Sequence, residues 1–538
     1  MPVKTDNQQS FELQTLDQWK GLNQQGKRGS IDDNEEWWNE NLFAIGPGNL
    51  RSCWGHGPVI YTAPSGTTIL RIFFGFIGNE TGQFNVPPPG QLGWMFLSDG
   101  NVDQVDLSTR TVTRIGPIWE PITPQYWASA VVWRPQYFGN IAGQQGGVLI
   151  GSPKGLYGWD GTTLSSPGDN APDWLTNSLE QPGGIPYTMP SGLPGIYCLE
   201  VYQARLFVAG KDVISFSAPS NGADFSTTDG GGSFGYFGNK LTYTFNDLAA
   251  SAGYLYVYGD SSIDLIANVQ LSGQGTPQDP FVTNLNYQNI DPQVGQRFPR
   301  PVGRIGRYMQ MFNGAGIFET RGGEAREIGA RVTNIYNTLD TSTFLPTMCP
   351  ANMFGFKVLL CNGMFTDPWG VKRNLLLMWH PTQQEFWSVA SQNLNLTHIG
   401  AYEQDSIITP YGTDGTSLYQ LFAQPDPALL KTLATKFIRG TGIKQLTIKN
   451  WKRLFLEFYD EFGGGVSFTG KTTARGGGVP GGSQDIGFAL SEGARYAFEP
   501  ARIECAGIAA AVDLHSLSPD FTIERLHIGA EDRTVFGA

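Results

Sequence analysis

Val201–Thr228 reads VYQARLFVAGKDVISFSAPSNGADFSTT, and the fold of the chain turns on how this stretch is read. Arg205–Ala209 is an apolar strand, Gly210–Asp212 a tight turn, and Val213–Ser217 a second strand with period-two alternation. Pro219–Gly222 then carries the chain away over the surface. Apolar alternation bounded by Gly, Pro, Asn and Asp is the sequence form of a half-buried antiparallel hairpin. The same strand–turn–strand phrase recurs on both sides, at irregular spacing and without a fixed residue code.

Outward from this stretch, Trp94–Leu107 (WMFLSDGNVDQVDL) is a hairpin through Asp99-Gly100, a dipeptide that supplies the positive φ angles of a type I′ turn. Similar dipeptides stand at Asp160-Gly161, Asn313-Gly314, Asn362-Gly363 and Asp414-Gly415, each beside an apolar strand. The units fall near 68–115, 127–165, 196–228, 241–270, 303–335, 354–390 and 396–422. Sheets repeated at this scale, with almost no helical periodicity between them, predict an all-β chain built as a β-propeller of six or seven irregular blades. A pair of stacked β-sandwiches is the competing architecture. Residues 166–195 and 272–301, rich in Pro, Gly, Gln and Asn, read as loops inserted in the array. Phe281–Tyr287 keeps enough aromatic and β-branched content to order against a partner.

At 538 residues the chain is too long for one core. Charged residues are 16% against about 25% in an ordinary soluble domain, which points to surface buried against other chains. The net charge of −12 disfavours tight binding to DNA or anionic lipid. Cys53, Cys198, Cys349, Cys361 and Cys505 are scattered and show no CxxC spacing, so neither a disulfide framework nor a zinc site is expected. No signal peptide and no membrane-spanning run is read.

Three parts follow: an amino-terminal arm (1–60) that contributes to a platform, the propeller (61–425), and a carboxy-terminal β-rich sandwich or platform domain (426–538). The arm carries Asp32, Asp33, Glu35 and Glu36 beside Trp37 and Trp38, a tryptophan pair suited to docking it onto another surface. Past Pro425–Pro427 stand Lys431, Lys436, Arg439, Lys444, Lys449, Lys452 and Arg453 with no acidic residue among them. Such a run is either a solvated face or a contact to an acidic neighbour, with Lys444, Lys449 and Lys452 the candidate contact residues. Leu429–Ile438 reads as a short helix, and Leu446–Tyr459, Arg502–His515 and Phe521–Gly529 read as strands.

Catalytic-looking motifs are present without their context. Gly465–Thr472 satisfies GxxxxGK[ST], and Ile508–Asp513 resembles a strand ending in a metal-binding Asp. The Gly-rich run after Thr472 cannot make the phosphate-holding helix, however, and Val466 and Phe468 alternate as in a hairpin. Gly231–Gly235 matches GxSxG, and Gly230, Gly232 and Gly235 match GxGxxG, both in a loop. His56, His380, His398, His515 and His527 form no local metal or triad motif. No catalytic residue, metal or cofactor is therefore expected. Paired carboxylates for glycoside hydrolysis remain open, because propeller hydrolases gather them from different blades.

Several phrases carry a family resemblance. Gly21-Leu22-Asn23, then Asn39–Asn41, then Gly46–Gly55 (GPGNLRSCWG) resemble the opening of tail nozzle, or tail hub, proteins of short-tailed bacteriophages, although Cys53 and Trp54 depart from the family's G-x-L-R-x-R-x-G phrase. Ala204–Phe225, Leu255–Ile266 (LYVYGDSSIDLI), Gly316–Phe318 and Ser518–His527 (SPDFTIERLH) resemble later phrases in the same order. The resemblance implies a virion structural protein without enzymatic activity. It implies a six-fold ring below the portal and adaptor, with tail fibre or spike proteins as neighbours, through which DNA leaves without specific binding. An acidic lumen suits such a conduit, since multiple phosphate contacts would retain the polyanion. A receptor- or glycan-binding propeller is the alternative, and a propeller polysaccharide hydrolase or lyase the third reading.

Overall fold

The computed structural model describes residues 11–32, 34–46, 48–75, 91–118, 129–133, 147–152, 155–159, 164–165, 180–181, 185–186, 198–209, 213–219, 222, 225, 227–235, 245–296, 298, 302–313, 315–381, 386–404, 406–439, 448–475 and 482–532. Among them, seven antiparallel four-strand units follow one another along the chain. Blade 1 is Ile69–Gly75, Leu92–Leu97, Asn101–Asp106 and Val112–Pro117; blade 2 runs from Ser129–Trp133 to Leu164–Ser165. Blade 3 runs from Cys198–Tyr202 to Gly232–Gly235, blade 4 from Phe245–Ser251 to Val282–Asp291, and blade 5 from Val302–Ile305 to Arg326–Glu327. Blade 6 is Thr347–Met353, Phe356–Thr366, Lys372–His380 and Phe386–Ala390.

Blade 7 takes three strands in sequence, His398–Gln404, Ile407–Thr413 and Ser417–Gln420, and its fourth is Val59–Thr62 from the other end of the chain. Such an overlap closes the ring without leaving a free radial edge. The closing strand is riveted to blade 1 as well, where the Tyr61 hydroxyl donates to Asp103 (2.7 Å), itself held by Arg114 at 2.8 and 3.1 Å.

Each neighbouring pair of blades shares an apolar cluster. Trp94, Phe96, Val148 and Ile150 join blades 1 and 2; Leu149, Leu156, Leu199 and Leu206 join 2 and 3; Phe207, Phe216, Leu255 and Val257 join 3 and 4. Tyr256, Tyr258, Met309 and Met311 join 4 and 5, Phe312 and Leu359 lie between 5 and 6, and Leu360 and Ile399 between 6 and 7. Ile72, Met95, Tyr402 and Tyr411 complete the circuit from 7 to 1. Alternating side chains supply both faces of each blade, so period two in sequence becomes radial packing in space. The fold is a seven-bladed β-propeller.

The remaining strands form a sandwich. One sheet contains Leu42–Gly46, Asn49–Ser52, Phe521–Asp532, Lys449–Asp460 and Tyr496–Gly507, with Phe11–Leu16 also paired to Phe521–Asp532. The other contains Lys431–Thr435, Ala509–Ser516, Val466–Arg475 and Ser483–Leu490. They enclose a common core of Trp451, Leu454, Leu456, Phe458, Phe468, Val512, Leu514, Phe521 and Ile528. Strand Glu36–Glu40 pairs with Lys431–Thr435 on one side and with Phe386–Ala390 of blade 6 on the other, so this second sheet runs on into the propeller.

Four sequence expectations change. Asn362-Gly363 lies inside strand Phe356–Thr366 and makes no turn; Asn362 is fully buried and its Nδ2 donates to Leu396 O (2.9 Å). Leu429–Ile438 is not a helix but contains strand Lys431–Thr435, buried at every position. Residues 272–301 are not an inserted loop. They supply Val282–Asp291, the fourth strand of blade 4, whose Leu285 and Tyr287 pack on their own chain. The boundary at 60/61 divides strand Val59–Thr62, so the arm is part of the propeller's closure. Almost all of 166–195, with the turns at 210–212 and 160–161 and Gly314 of the Asn313-Gly314 pair, lies outside the described residues.

Candidate functional site

The catalytic-looking motifs are built as strands. Val466–Arg475 is a β-strand paired with Ser483–Leu490 and with Ala509–Ser516, and the exposed Lys471 stands between Asp485 and Asp513. A Cβ on Gly470 would come within 2.1 Å of the Asp513 carbonyl, so this glycine serves close strand packing. The turn before it is shaped by Asp460, whose carboxylate accepts from the amides of Phe462, Gly463 and Gly465 at 2.9, 2.6 and 2.8 Å. Gly232–Gly235 is the outer strand of blade 3, with Ser233 opposite Ser215, and no nucleophile elbow forms.

The five histidines do not meet. His56 lies against Tyr419, His380 is stacked on Phe43 and next to Phe356, His398 lines the propeller axis, His515 bonds Thr432, and His527 sits between Thr15 and Glu457. Among the described residues no group of three or more His, Cys, Asp or Glu side chains is arranged to hold a metal. All five cysteines are buried and none forms a disulfide, and burial pushes the Cys53, Cys349 and Cys361 thiols far up and the Cys505 thiol up to about 11.

The inner strands of all seven blades line one axial cavity of about 440 Å³. Its polar wall is Arg71, Glu200, Asp247, Arg304, His398 and Glu403, from blades 1, 3, 4, 5 and 7. Glu200 accepts from the Val201 amide (3.0 Å) and Asp247 from the Leu248 amide (2.9 Å), while Arg304 donates to Ala250 O (3.3 Å). Backbone bonding of this kind stiffens the rim and engages the carboxylates. The sequence gives no sign of this ring, because its six polar members are scattered over five strands far apart in the chain.

Of the quoted phrases, those near the two ends of the chain come together at the junction of arm, propeller and sandwich, whereas Ala204–Phe225, Leu255–Ile266 and Gly316–Phe318 lie in blades 3, 4 and 5. Arg51 forks onto Asp520 at 3.2 and 2.8 Å; Ser52 Oγ and Trp54 Nε1 donate to the same carboxylate, each at 3.1 Å, and the Phe521 amide donates to Ser52 (2.9 Å). Thus GPGNLRSCWG grips SPDFTIERLH across 469 residues of sequence. Asn41 joins the arm to Ser391 Oγ (3.1 Å) and Leu430 O (2.7 Å), and receives the Ser391 amide (3.0 Å). Gly21 has φ +89° and lies so close to blade 6 that a Cβ would meet the Trp387 amide at 2.8 Å; the next residue, Leu22, is fully buried. In blade 3, the Arg205 guanidinium is buried and donates to Ser217 O and Gly230 O, both at 2.6 Å. Its desolvation lowers its pKa to about 10.

Glu36, beside this junction, is almost wholly buried. Burial raises its pKa to about 8, held back only partly by its own backbone amide, Asn39 and Arg331. Trp38 is buried in the same core, whereas Trp37 lies partly exposed against Trp369 of blade 6, so the tryptophan pair docks the arm onto its own chain.

The basic band is divided. Lys449 is 1% exposed and its Nζ pairs with Glu12 at 2.6 Å, which removes it as a contact residue. Lys431 is equally buried and donates to Asp426 O (2.8 Å) and Ser518 O (2.9 Å), with its pKa lowered to about 8 by burial. Lys452 is half-buried, Lys436 donates to Ile31 O, and Lys444 lies outside the described residues. Arg439 and Arg453 are exposed.

No protein-family model matches the chain, and no curated protein sequence matches it significantly. Solved structures resemble the chain only at low similarity. BBS1N crystallised in complex with ARL6DN is 10% identical, with a TM-score of 0.40 over 69% of this chain and 98% of that one. The Neurospora crassa Pan2 WD40 domain is 8% identical (TM-score 0.34, 61% and 85% covered), and the AfRom2 CNH domain 9% identical (TM-score 0.35, 68% and 98% covered). Among the described residues no helix is long and apolar enough to cross a membrane.

Proposed function

We propose that the chain is a structural virion protein, the tail nozzle or hub of a short-tailed phage, assembling as a homohexameric ring that walls the DNA exit channel below portal and adaptor and helps retain and release the genome. The observation that carries this reading is the ordered set of family-like phrases, supported by where their residues stand. Arg51, Ser52, Trp54, Asp520, Gly21 and Arg205 hold the parts of the chain together and do no chemistry of their own. A net charge of −12 suits a conduit that must release a polyanion. Electron microscopy of the purified chain and of particles containing it tests the reading. Six-fold rings with an open centre, attached at the tail, are expected; a single copy on a fibre tip would overturn it.

The second reading, a receptor- or glycan-binding propeller, is favoured by one feature. Asn284, Asn286 and Gln288 are exposed side by side along the outer strand of blade 4, and planar amides suit sugar hydroxyls. Retention of the chain on immobilised cell-surface polysaccharide, lost on changing the three to Ala, would support it. Release of new reducing ends would instead select a hydrolase.

A further inference from the structure

Two small residues open a recess beside the axial cavity. Along the inner strand of blade 7, His398–Gln404, alternation sends Ile399, Ala401 and Glu403 to one side. Ile399 and Ala401 there join the apolar cluster shared with Cys349 and Leu360 of blade 6. Gly400 faces blade 1 instead. A Cβ on it would stand 3.0 Å from the Phe74 ring, which lies against Tyr411 with ring centres 4.8 Å apart. With only a hydrogen and a methyl group at these two positions, the wall falls back between Ile72 and Phe74 of blade 1 and Met348 and Pro350 of blade 6. The space left is about 220 Å³.

Glu403 stands where this recess meets the axial cavity, and it lines both. It is exposed, and it opposes Ile408 across the hairpin of blade 7. Other polar members of the axial wall are engaged: Glu200 and Asp247 accept backbone amides, and Arg304 donates to Ala250 O. Arg71 is only 9% exposed. The Glu403 carboxylate, by contrast, has no hydrogen-bond or ion-pair partner among the described residues.

An ionised carboxyl only accepts hydrogen bonds, and a cationic donor satisfies it best. An anion placed here would face the three carboxylates of the wall, while Arg304 is turned to a backbone carbonyl and Arg71 is nearly buried. A bare metal ion would find one free carboxylate and an apolar wall, too few oxygen ligands to hold it. The remaining class joins a positive group to an apolar body.

We propose that this recess binds a small amphipathic amine, with its ammonium group on Glu403 and its aliphatic or aromatic body between blades 1, 6 and 7. Burial of the body supplies the affinity, and the carboxylate selects the sign of the charge. The site lies within one chain and needs no neighbour, so it stands or falls apart from the ring reading above.

The test uses the full chain and n-hexylamine, with n-hexanol and hexanoate as neutral and anionic counterparts of the same chain length. Calorimetry and ligand-observed NMR measure binding to wild type, Glu403→Gln and Ala401→Leu. Wild type should bind the amine about fivefold more tightly than the alcohol, the strength of an exposed ion pair, and hexanoate most weakly. In Glu403→Gln the advantage of the amine over the alcohol should vanish, with alcohol binding unchanged. Ala401→Leu fills the recess and should weaken the amine and the alcohol alike by about tenfold or more. Should that variant melt early, displacement of hexylamine by hexanol in the wild type gives the same information, because one recess cannot hold both. Equal amine affinity in wild type and Glu403→Gln, or tighter binding of hexanoate than of hexylamine, overturns the proposal. Amine binding that neither Ala401→Leu nor hexanol reduces would be general attraction to an acidic chain and also overturns it. So does the absence of binding by any of the three probes, which would leave the recess to solvent.

Discussion

The propeller and the junction beneath it are stabilised in different ways. Between blades, cohesion is distributed: each of seven interfaces is a patch of buried aliphatic and aromatic side chains, with single polar bonds such as Tyr61 to Asp103 added to it. At the junction it is concentrated, with Asp520 alone receiving Arg51, Ser52 and Trp54. Dispersed apolar packing tolerates sequence drift provided volume and period are kept. A buried polar network does not, because each member left unpaired incurs a desolvation cost. Single substitutions should therefore be felt more sharply at the junction than in the blades.

The strongest way to break the contrast is Asp520→Ala. It leaves the Arg51 guanidinium without its carboxylate and the Trp54 N–H without its acceptor, and should cost about 3–5 kcal/mol. Denaturant unfolding measures the loss, and limited proteolysis should show cleavage of the arm before the blades. A loss below about 1 kcal/mol would mean that the junction is no more concentrated than a blade.

Glu36→Gln comes next and has a pH signature. The folded state raises this pKa from 4.5 to about 8. Below about pH 4.5 the carboxyl is protonated both folded and unfolded, and burial carries no ionisation penalty. Between there and about pH 8 only the unfolded state ionises, so native stability falls as pH rises, and the penalty levels off above. Gln removes it. The variant should match wild type near pH 4.5 and exceed it at pH 9 by on the order of 2–4 kcal/mol. Parallel stability–pH curves for the two proteins would refute this.

Within the blades, Ile150→Val should cost only about 1 kcal/mol and leave proteolysis of the arm unchanged, which sharpens the comparison from the other side. Smallest of all is Lys471→Ala, expected within about 0.5 kcal/mol of wild type, with no thermal shift from Mg-ATP in either protein. A shift of several degrees abolished by the substitution would revive a nucleotide site at Gly465–Thr472.

Much of the propeller was legible because period two and Gly-containing turns are local signals. The hairpin at Asp99-Gly100 and the seven units appear close to where the pattern puts them. Local signals also misled. Asn362-Gly363 has a turn's composition, but Asn362 finds its partner at Leu396, inside the fold. The proline and glycine content of 272–301 masks the alternation of Leu285 and Tyr287 in a genuine strand. The candidate contacts fared worse for a related reason. Nothing near Lys449 in sequence reveals that Glu12, 437 residues away, takes its charge. Asp520 was equally hidden, since its three donors stand more than 460 residues upstream.

The strand Val59–Thr62 has a consequence for how the chain is made. It leaves the ribosome roughly 20–70 s before Ser417–Gln420, at about 5–20 residues per second. Until those residues arrive, the nascent chain is an open stack of blades with an unpaired edge at each end. Phe11–Leu16 waits longer still, for Phe521–Asp532. Synthesis of this protein therefore has a long vulnerable interval and a late closing event, and its yield should respond to translation speed and to chaperones that shield strand edges more than to the stability of any one blade.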